Sequence, residues 1–184
     1  MVKDFSSKIL KELAALKKSK GIYVLVVSPE NYNAVMDSTM KVLTVTFNLT
    51  GIYVTVNKNY DVMGDRFKKV KVKSGNLLVI DASGEKNKKE VDNCFVTKSK
   101  SLTEISLAIS EAVHTGKFKF VLFDSISTLL VYHPLNSVQK FSQFIVSKMR
   151  NMGVDCILIT LNDAESQKVL PVISQFCDKV IVIQ

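Results

Sequence analysis

The feature that most constrains the fold is an apolar and aromatic run, residues 118–123, that ends on the single acid Asp124. Ser125, Ser127 and Thr128 follow it closely. This composition is typical of a strand buried on both faces of a parallel sheet, whose carboxyl end brings the acid to a crevice. In nucleotide hydrolases an acid at such a position holds the magnesium ion of a bound triphosphate. The simpler alternative is that Asp124 only caps the turn after a core strand.

Five further short apolar runs predict strands, and segments with helical periodicity separate most of them. With the run above, the predicted strands are residues 22–27, 51–56, 76–80, 118–124, 156–160 and 179–183. The main predicted helices are residues 4–16, 32–48, 101–115 and 137–152. Strands that alternate with helices across short loops imply repeated crossover units. The sequence therefore predicts an α/β fold of three layers, α/β/α, around a mainly parallel sheet.

Composition limits the class of protein. A chain of 184 residues with 47% hydrophobic residues can bury one sizeable core. No window holds the roughly 18 consecutive apolar residues of a spanning helix, so we expect no membrane segment. Cys94, Cys156 and Cys177 are scattered and form no Cys-x-x-Cys pair, which favours free thiols in a reducing compartment. We expect a cytoplasmic protein.

The first twenty residues are predicted to form an amphipathic helix ahead of an α/β domain at residues 21–184. Phe5, Ile9, Leu13 and Leu16 follow helical spacing and form an apolar stripe. This stripe must be covered, either by the chain's own sheet or by a neighbouring molecule, because an exposed stripe is an adhesive patch. Both alternatives stay open from the sequence.

The loop after the first predicted strand has the position of a phosphate-binding loop without its residues. A cradle of the Gly-x-x-x-x-Gly-Lys-Ser/Thr type needs glycines that turn backbone N–H groups to the ligand, and a lysine for the outer phosphates. Residues 28–33, Ser-Pro-Glu-Asn-Tyr-Asn, contain neither glycine nor lysine. Pro29 removes one N–H donor and Glu30 adds a negative charge. A triphosphate would therefore have to bind without the usual loop.

The stretch Phe-Val-Leu-Phe-Asp-Ser-Ile-Ser-Thr-Leu-Leu from residue 120, the strand from Asp155 and the closing residues 176–183 resemble a KaiC-like domain of the RecA superfamily. The resemblance implies a RecA-like P-loop NTPase fold with sheet order 3-2-4-5-1-6, Asp124 at the Walker B position and an archaeal source. Active members carry glutamates after the second strand to activate water. This chain has Asn57-Lys58-Asn59 there, and an amide cannot take a proton from water.

These departures indicate a non-catalytic domain that acts in regulation or assembly through protein contacts. The expected partner is a second copy of the chain or an active family relative. We expect no cofactor, or Mg-ATP bound only weakly, with Asp124 as the metal ligand in that case. A doubly wound sheet would gather several polar side chains at the carboxyl ends of its strands, as remnants of a nucleotide site. They are Ser28, Asn57, Asp81, Asp124, Ser125, Thr160 and Asn162.

Two other functions stay open. The chain could be an ATP-binding protein or weak ATPase whose phosphate site is relocated to a lysine of residues 68–73. It could also bind nucleic acid, because 25 basic and 17 acidic residues give a net charge of +8. Aromatic residues are not interleaved with the lysine runs, which favours a solvated surface instead.

Overall fold

A computed structural model describes residues 4–17, 20–73, 75–85, 92–97 and 100–184. Its centre is a sheet of seven strands in the described part of the chain, with the order β4-β3-β2-β5-β6-β1-β7. The strands are β1 Ile22–Val27, β2 Gly51–Thr55, β3 Leu77–Asp81, β4 Cys94–Val96, β5 Phe120–Asp124, β6 Asp155–Leu161 and β7 Lys179–Ile183. Each pairing between described strands is parallel. The central strands β1, β2 and β5 are buried at every position, as their continuous apolar composition predicts.

Helices cover both faces of the sheet, so the fold has three layers. They are α1 Ser6–Leu13, α2 Tyr32–Lys41, α3 Tyr60–Lys69, α4 Leu102–His114, α5 Ile126–Tyr132, α6 Leu135–Met152 and α7 Ser166–Ser174. Apolar side chains of α1, α2 and α3 form one core with the sheet, and those of α4 to α7 form a second core on its opposite side. We call these two sides the α2 face and the α6 face. No helix in the described residues is long and apolar enough to cross a bilayer.

The predicted three-layer fold and sheet order are confirmed. The order of the six predicted strands matches the structure, in which a seventh strand, β4, extends the sheet beyond β3. Strand β4 was not predicted from the sequence because it has only three residues, two of them exposed. Helix α5, which begins directly after β5 and uses Ser125 as its N-cap, was not predicted either. Helix α2 is shorter than predicted, since residues Val42–Thr46 continue it as a wider π-helical turn.

The N-terminal helix packs on its own domain. Ile9 and Leu13 are fully buried and Leu16 is 5% exposed, all within the core of the α2 face. The backbone N–H of Phe5 donates to Ser38 Oγ of α2 at 3.1 Å, and Lys179 of β7 forms an ion pair with Glu12 at 2.6 Å. The apolar stripe is therefore covered by the chain itself. It gives no reason to expect a neighbour, and the partner expectation stays a prediction.

Candidate functional site

Asp124 ends β5 in the middle of the sheet, between β2 and β6. It lies in register with Thr55 of β2, and its side chain points to the α2 face, like that of Leu122 two residues earlier. The residue is only 4% exposed. A carboxylate so far from water needs strong hydrogen-bond donors around it.

Two tyrosines supply those donors. The hydroxyl of Tyr32, the first residue of α2, donates to one carboxylate oxygen of Asp124, and the hydroxyl of Tyr53 in β2 donates to the other. Burial and the adjacent Asp124 carboxylate raise the pKa of both phenols well above the usual value. Both tyrosines therefore keep their protons, and each remains a hydrogen-bond donor.

Two cationic side chains, Arg66 and Lys58, lie near the tyrosines. Arg66 of α3 forms an ion pair with Asp37 of α2 and donates to Asn33 through Nη1 at 3.0 Å. Lys58, after β2, donates to the same Asn33 Oδ1 at 3.3 Å, and its Nζ lies 5.5 Å from the centre of the Tyr32 ring. Burial first, and then Arg66, lowers the pKa of Lys58. These contacts link α2 to α3 above the carboxylate.

The surroundings of Asp124 favour its role as a hydrogen-bond acceptor over a role as a metal ligand. Burial raises the pKa of its carboxyl, while the two tyrosine hydrogen bonds and the charges of Lys58 and Arg66 act in the opposite direction. Each carboxylate oxygen keeps a second lone pair, but Asp124 is only 4% exposed, so Mg²⁺ could reach it only if Tyr32 or Tyr53 moved aside. The site as folded holds a proton donor at each oxygen where a metal would bind.

The turn after β1 is closed on itself. Pro29–Asn31 form a single 3-10 turn, and the first turn of α2 follows directly. The side chain of Ser28 is 8% exposed, and its Oγ accepts from Asn31 Nδ2 at 3.1 Å. The backbone N–H of Asn31 donates to the Ser28 carbonyl at 3.0 Å. The hydroxyl and carbonyl of Ser28 therefore bind within the turn, and its N–H donates to the Ile183 carbonyl of β7 at 3.3 Å, so these groups form no phosphate cradle.

The residues after β2 and β3 mainly stabilise local structure. Asn59 caps α3 by accepting the N–H of Val62 at 3.2 Å, and Asn57 is exposed. Asp81 is fully buried and accepts the N–H of Tyr60 at 2.8 Å and the hydroxyl of Ser83 at 2.7 Å. The contacts shown for Asp81 hold the start of α3 and the turn after β3.

A network of hydroxyl groups lies on the opposite side of the sheet, on the α6 face. Ser127 Oγ accepts the N–H of Leu161 at 2.6 Å and lies 3.0 Å from Thr160 Oγ1 and 2.8 Å from Ser166 Oγ. It joins α5 to the end of β6 and to α7. Ser125 caps α5 next to this network.

The predicted site residues therefore divide between two faces and do not form one crevice. Asp81 and Asp124 lie on the α2 face, whereas Thr160 belongs to the hydroxyl network on the α6 face. Asn162 is exposed, where its side-chain oxygen accepts from Gln167 at 3.0 Å. Asn57 lies at the mouth of a cavity of about 750 Å³ that Ser127 also lines.

Four residues that surround the acid were not predicted from the sequence, namely Tyr32, Tyr53, Lys58 and Arg66. A signal existed for Tyr53, since a tyrosine in a strand buried on both faces needs a hydrogen-bond partner for its hydroxyl. Tyr53 also lies two residues before Thr55, which is aligned with Asp124. No local pattern connects Tyr32 or Arg66 to Asp124, because 92 residues separate Tyr32 from the acid.

The chain resembles known proteins at the level of a family and a fold. Residues 31–184 match the family model of the KaiC ATPase, a stretch that begins within the turn after β1 and includes Asp124. The structure matches the crystal structure of a KaiC-like protein from the hyperthermophilic archaeon Pyrococcus horikoshii with a TM-score of 0.64 and 14% sequence identity, covering 88% of this chain and 71% of that one. At this identity the likeness establishes the fold alone. No curated protein matches the chain.

Proposed function

The chain belongs to the KaiC ATPase family, and we propose that it is a non-catalytic member that acts in regulation or assembly through protein contacts. The observation that supports this proposal is the pair of tyrosine hydroxyls on Asp124. In a magnesium-dependent ATPase this carboxylate must face the metal that bridges the outer phosphates. Here both of its oxygens already accept hydrogen bonds, one from the buried Tyr53 and one from the half-buried Tyr32.

The surroundings of the acid support the same proposal. Magnesium needs near-ideal octahedral oxygen coordination and usually keeps several waters, and a carboxylate that is 4% exposed beneath two tyrosine side chains leaves no room for such a hydrated ion. The turn of residues 28–33 has no glycine, and Asn57 and Asn59 are amides that cannot take a proton from an attacking water. Binding and hydrolysis would each need groups that these positions do not supply.

The direct test is ATP turnover by the full chain, with Mg²⁺ present, beside the Asp124→Ala variant. We expect both proteins to release phosphate at the rate of the buffer control. Turnover by the wild type that disappears in Asp124→Ala would overturn the proposal, because it would make Asp124 a working metal ligand. Turnover above the buffer control that is equal in both proteins would leave Asp124 without a catalytic role, and repeat purification would then separate a contaminating ATPase from the alternative of a relocated phosphate site.

The alternative of a relocated phosphate site on residues 68–73 has little support in the described geometry. Lys68 pairs with Asp65 at 3.3 Å, and Lys69 lies 3.8 Å from Asp37. Lys71 lines a separate cavity between α1, α2 and α3. The cations that act on the Asp124 carboxyl are Lys58 and Arg66 instead. Nucleic-acid binding rests on the net charge alone and stays a prediction.

The open edge of the sheet supports protein contacts. Strand β7 pairs only with β1 among the described strands, so its outer edge is available for another strand. Val180 and Val182 are 37% and 49% exposed there. We propose that a second copy or an active family relative binds this edge. Light scattering on the full chain should give a mass above the 20.5 kDa of a monomer, and Val182→Lys should restore the monomer. A monomer at every concentration, with no binding to an active relative, would contradict this contact.

A further inference from the structure

One cavity lined by described residues is not at the predicted metal site. It measures about 750 Å³ and lies beside the carboxyl ends of β2, β5 and β6, where α5 and the turn after β6 form its walls. Strand β2 leads into α3 on the α2 face, whereas β5 leads into α5 on the α6 face. In a parallel α/β sheet, such a reversal between neighbouring strands opens a crevice at the carboxyl end. We call this cavity the α5 crevice.

One wall of the α5 crevice is apolar and open to solvent. Val131 is 75% exposed and Tyr132 is 48% exposed, although both are large apolar or aromatic side chains at the end of a short helix. Leu130 and Leu161 line the same cavity. The Nζ atom of Lys100 lies 3.8 Å from the centre of the Tyr132 ring, so this ring already attracts a cation. The wall offers a surface on which a planar ring can pack.

The charged groups of the α5 crevice are acidic. Asp163 and Glu165 line it, and no described residue of the lining is basic. Glu165 already pairs with Lys168 at 2.6 Å. Asp163 is half-buried, accepts the N–H of Ser166 at 2.7 Å and forms no ion pair with any described residue. Its carboxylate therefore has a free oxygen and no counter-cation at the rim of an apolar cavity.

Two neutral polar groups complete the lining. The exposed amide of Asn57 has no hydrogen bond to another described residue, so it can donate to a ligand or accept from it. Ser127 forms part of the floor, where its hydroxyl is already held by the network with Thr160 and Ser166. The polar groups that can still bind a ligand, Asp163 and Asn57, thus lie at the rim, whereas the Ser127 hydroxyl in the floor is already hydrogen-bonded.

We propose that the α5 crevice binds a small molecule that joins a planar aromatic ring to a cationic nitrogen group. The ring would pack on Val131 and Tyr132, and the cation would pair with Asp163. Phosphate-bearing molecules fit less well, because the described lining presents the carboxylates of Asp163 and Glu165, while the adjacent cations Lys100 and Lys168 already contact the Tyr132 ring and Glu165. This proposal concerns the α6 face and does not depend on whether Asp124 binds magnesium.

Three probes of nearly equal shape test the charge preference: benzamidine is a cation, benzamide is neutral and benzoate is an anion. Binding to the full chain is measured by amide chemical shifts, titrated to about 10 mM, a range suited to weak ligands. We expect benzamidine to bind about threefold to fivefold more tightly than benzamide, the effect of one partly exposed ion pair. Benzoate should bind least. The shifted resonances should belong to α5, Asn57 and the turn at Asp163.

Two variants assign the effect to the α5 crevice. Asp163→Asn keeps a side-chain oxygen for the Ser166 N–H, and it should remove the preference for benzamidine over benzamide. Asp65→Asn removes an exposed acid of α3 on the α2 face and should leave the preference unchanged. The proposal is overturned if no probe binds, if benzoate binds as well as benzamidine, if the shifts lie elsewhere, or if Asp163→Asn keeps the preference.

Discussion

Tyr53→Phe removes one of the two hydroxyls that donate to Asp124 and leaves the ring in place. The side chain of Tyr53 is fully buried and packs edge-on against Phe67, with 5.6 Å between ring centres. No water can replace the lost donor without opening the core. A hydrogen bond to a charged group contributes about 1.5–3 kcal/mol, and one between neutral groups about 0.5–1.5 kcal/mol. The cost of the substitution therefore depends on whether Asp124 is ionised.

The pH dependence follows from the direction of the Asp124 shift. Burial raises its folded pKa above the usual 3.8, so the folded chain binds more protons than the unfolded chain between 3.8 and the raised value. Stability due to this group is present below that window and falls as the pH rises through it. The Tyr53 hydroxyl lowers this pKa, so its loss moves the upper limit of the window to higher pH. Tyr53→Phe should thus cost about 1.5–3 kcal/mol at a pH above this window and about 0.5–1.5 kcal/mol at a pH below it.

Urea unfolding followed by far-UV circular dichroism measures both values, since the chain has no tryptophan. Tyr60→Phe is the matched control: its ring also packs on Phe67, and its hydroxyl has no hydrogen bond to a described residue. It should cost less than about 0.5 kcal/mol at both pH values. In an Asp124→Asn background, the pH-dependent part of the Tyr53→Phe effect should vanish. An equal cost at both pH values in the wild-type background would refute Asp124 as an ionised acceptor.

Two further pairs of variants test the core. Leu13→Ala should lower the free energy of unfolding by about 2–5 kcal/mol because Leu13 is fully buried, whereas Leu10→Ala, at an exposed position of the same helix, should lower it by less than about 1 kcal/mol. Light scattering should show no change of mass in either variant. A change of mass in Leu13→Ala would indicate that the helix takes part in assembly. Gly51→Ala places a Cβ 2.2 Å from the buried ring of Phe120 and should lower the free energy of unfolding by about 1–3 kcal/mol or more. Gly64→Ala lies inside α3, where the added Cβ would be 3.7 Å from its nearest neighbour, and should raise the free energy of unfolding by about 0.5–1 kcal/mol. A Gly51→Ala variant that is as stable as the wild type in urea unfolding, or more stable, would contradict the packing at Gly51.

The fold could be predicted because its signals are local. Continuous apolar runs such as residues 22–27 and 120–123 are what strands covered on both faces require, and the crossover rule then makes their pairing parallel. The order of the strands came from the resemblance and not from the patterns. Strand β4 was missed because Cys94–Val96 is too short for a period to show. Helix α5 was missed because its seven residues, capped by Ser125, follow directly after the strand and are also too few to show a clear helical period.

The candidate site was less predictable because its contacts are distant in the chain. The end of a predicted strand indicated Asp124 as a site residue. It did not indicate that the Asp124 side chain points to one face of the sheet and the Thr160 side chain to the other. The helix start at Tyr32 gave no indication that its hydroxyl reaches the acid across 92 residues. Tertiary packing decides such contacts, and a single sequence does not display it.

Calorimetric titration of Mg-ATP into the full chain tests the central claim most directly. If the tyrosine hydroxyls occupy both oxygens of Asp124, no binding with a Kd below about 1 mM should be detected. Asp124→Ala, measured beside it, should give the same flat titration. Binding by the wild type with a Kd below that limit, and its loss in Asp124→Ala, would contradict the account, because the carboxylate would then be open to the metal.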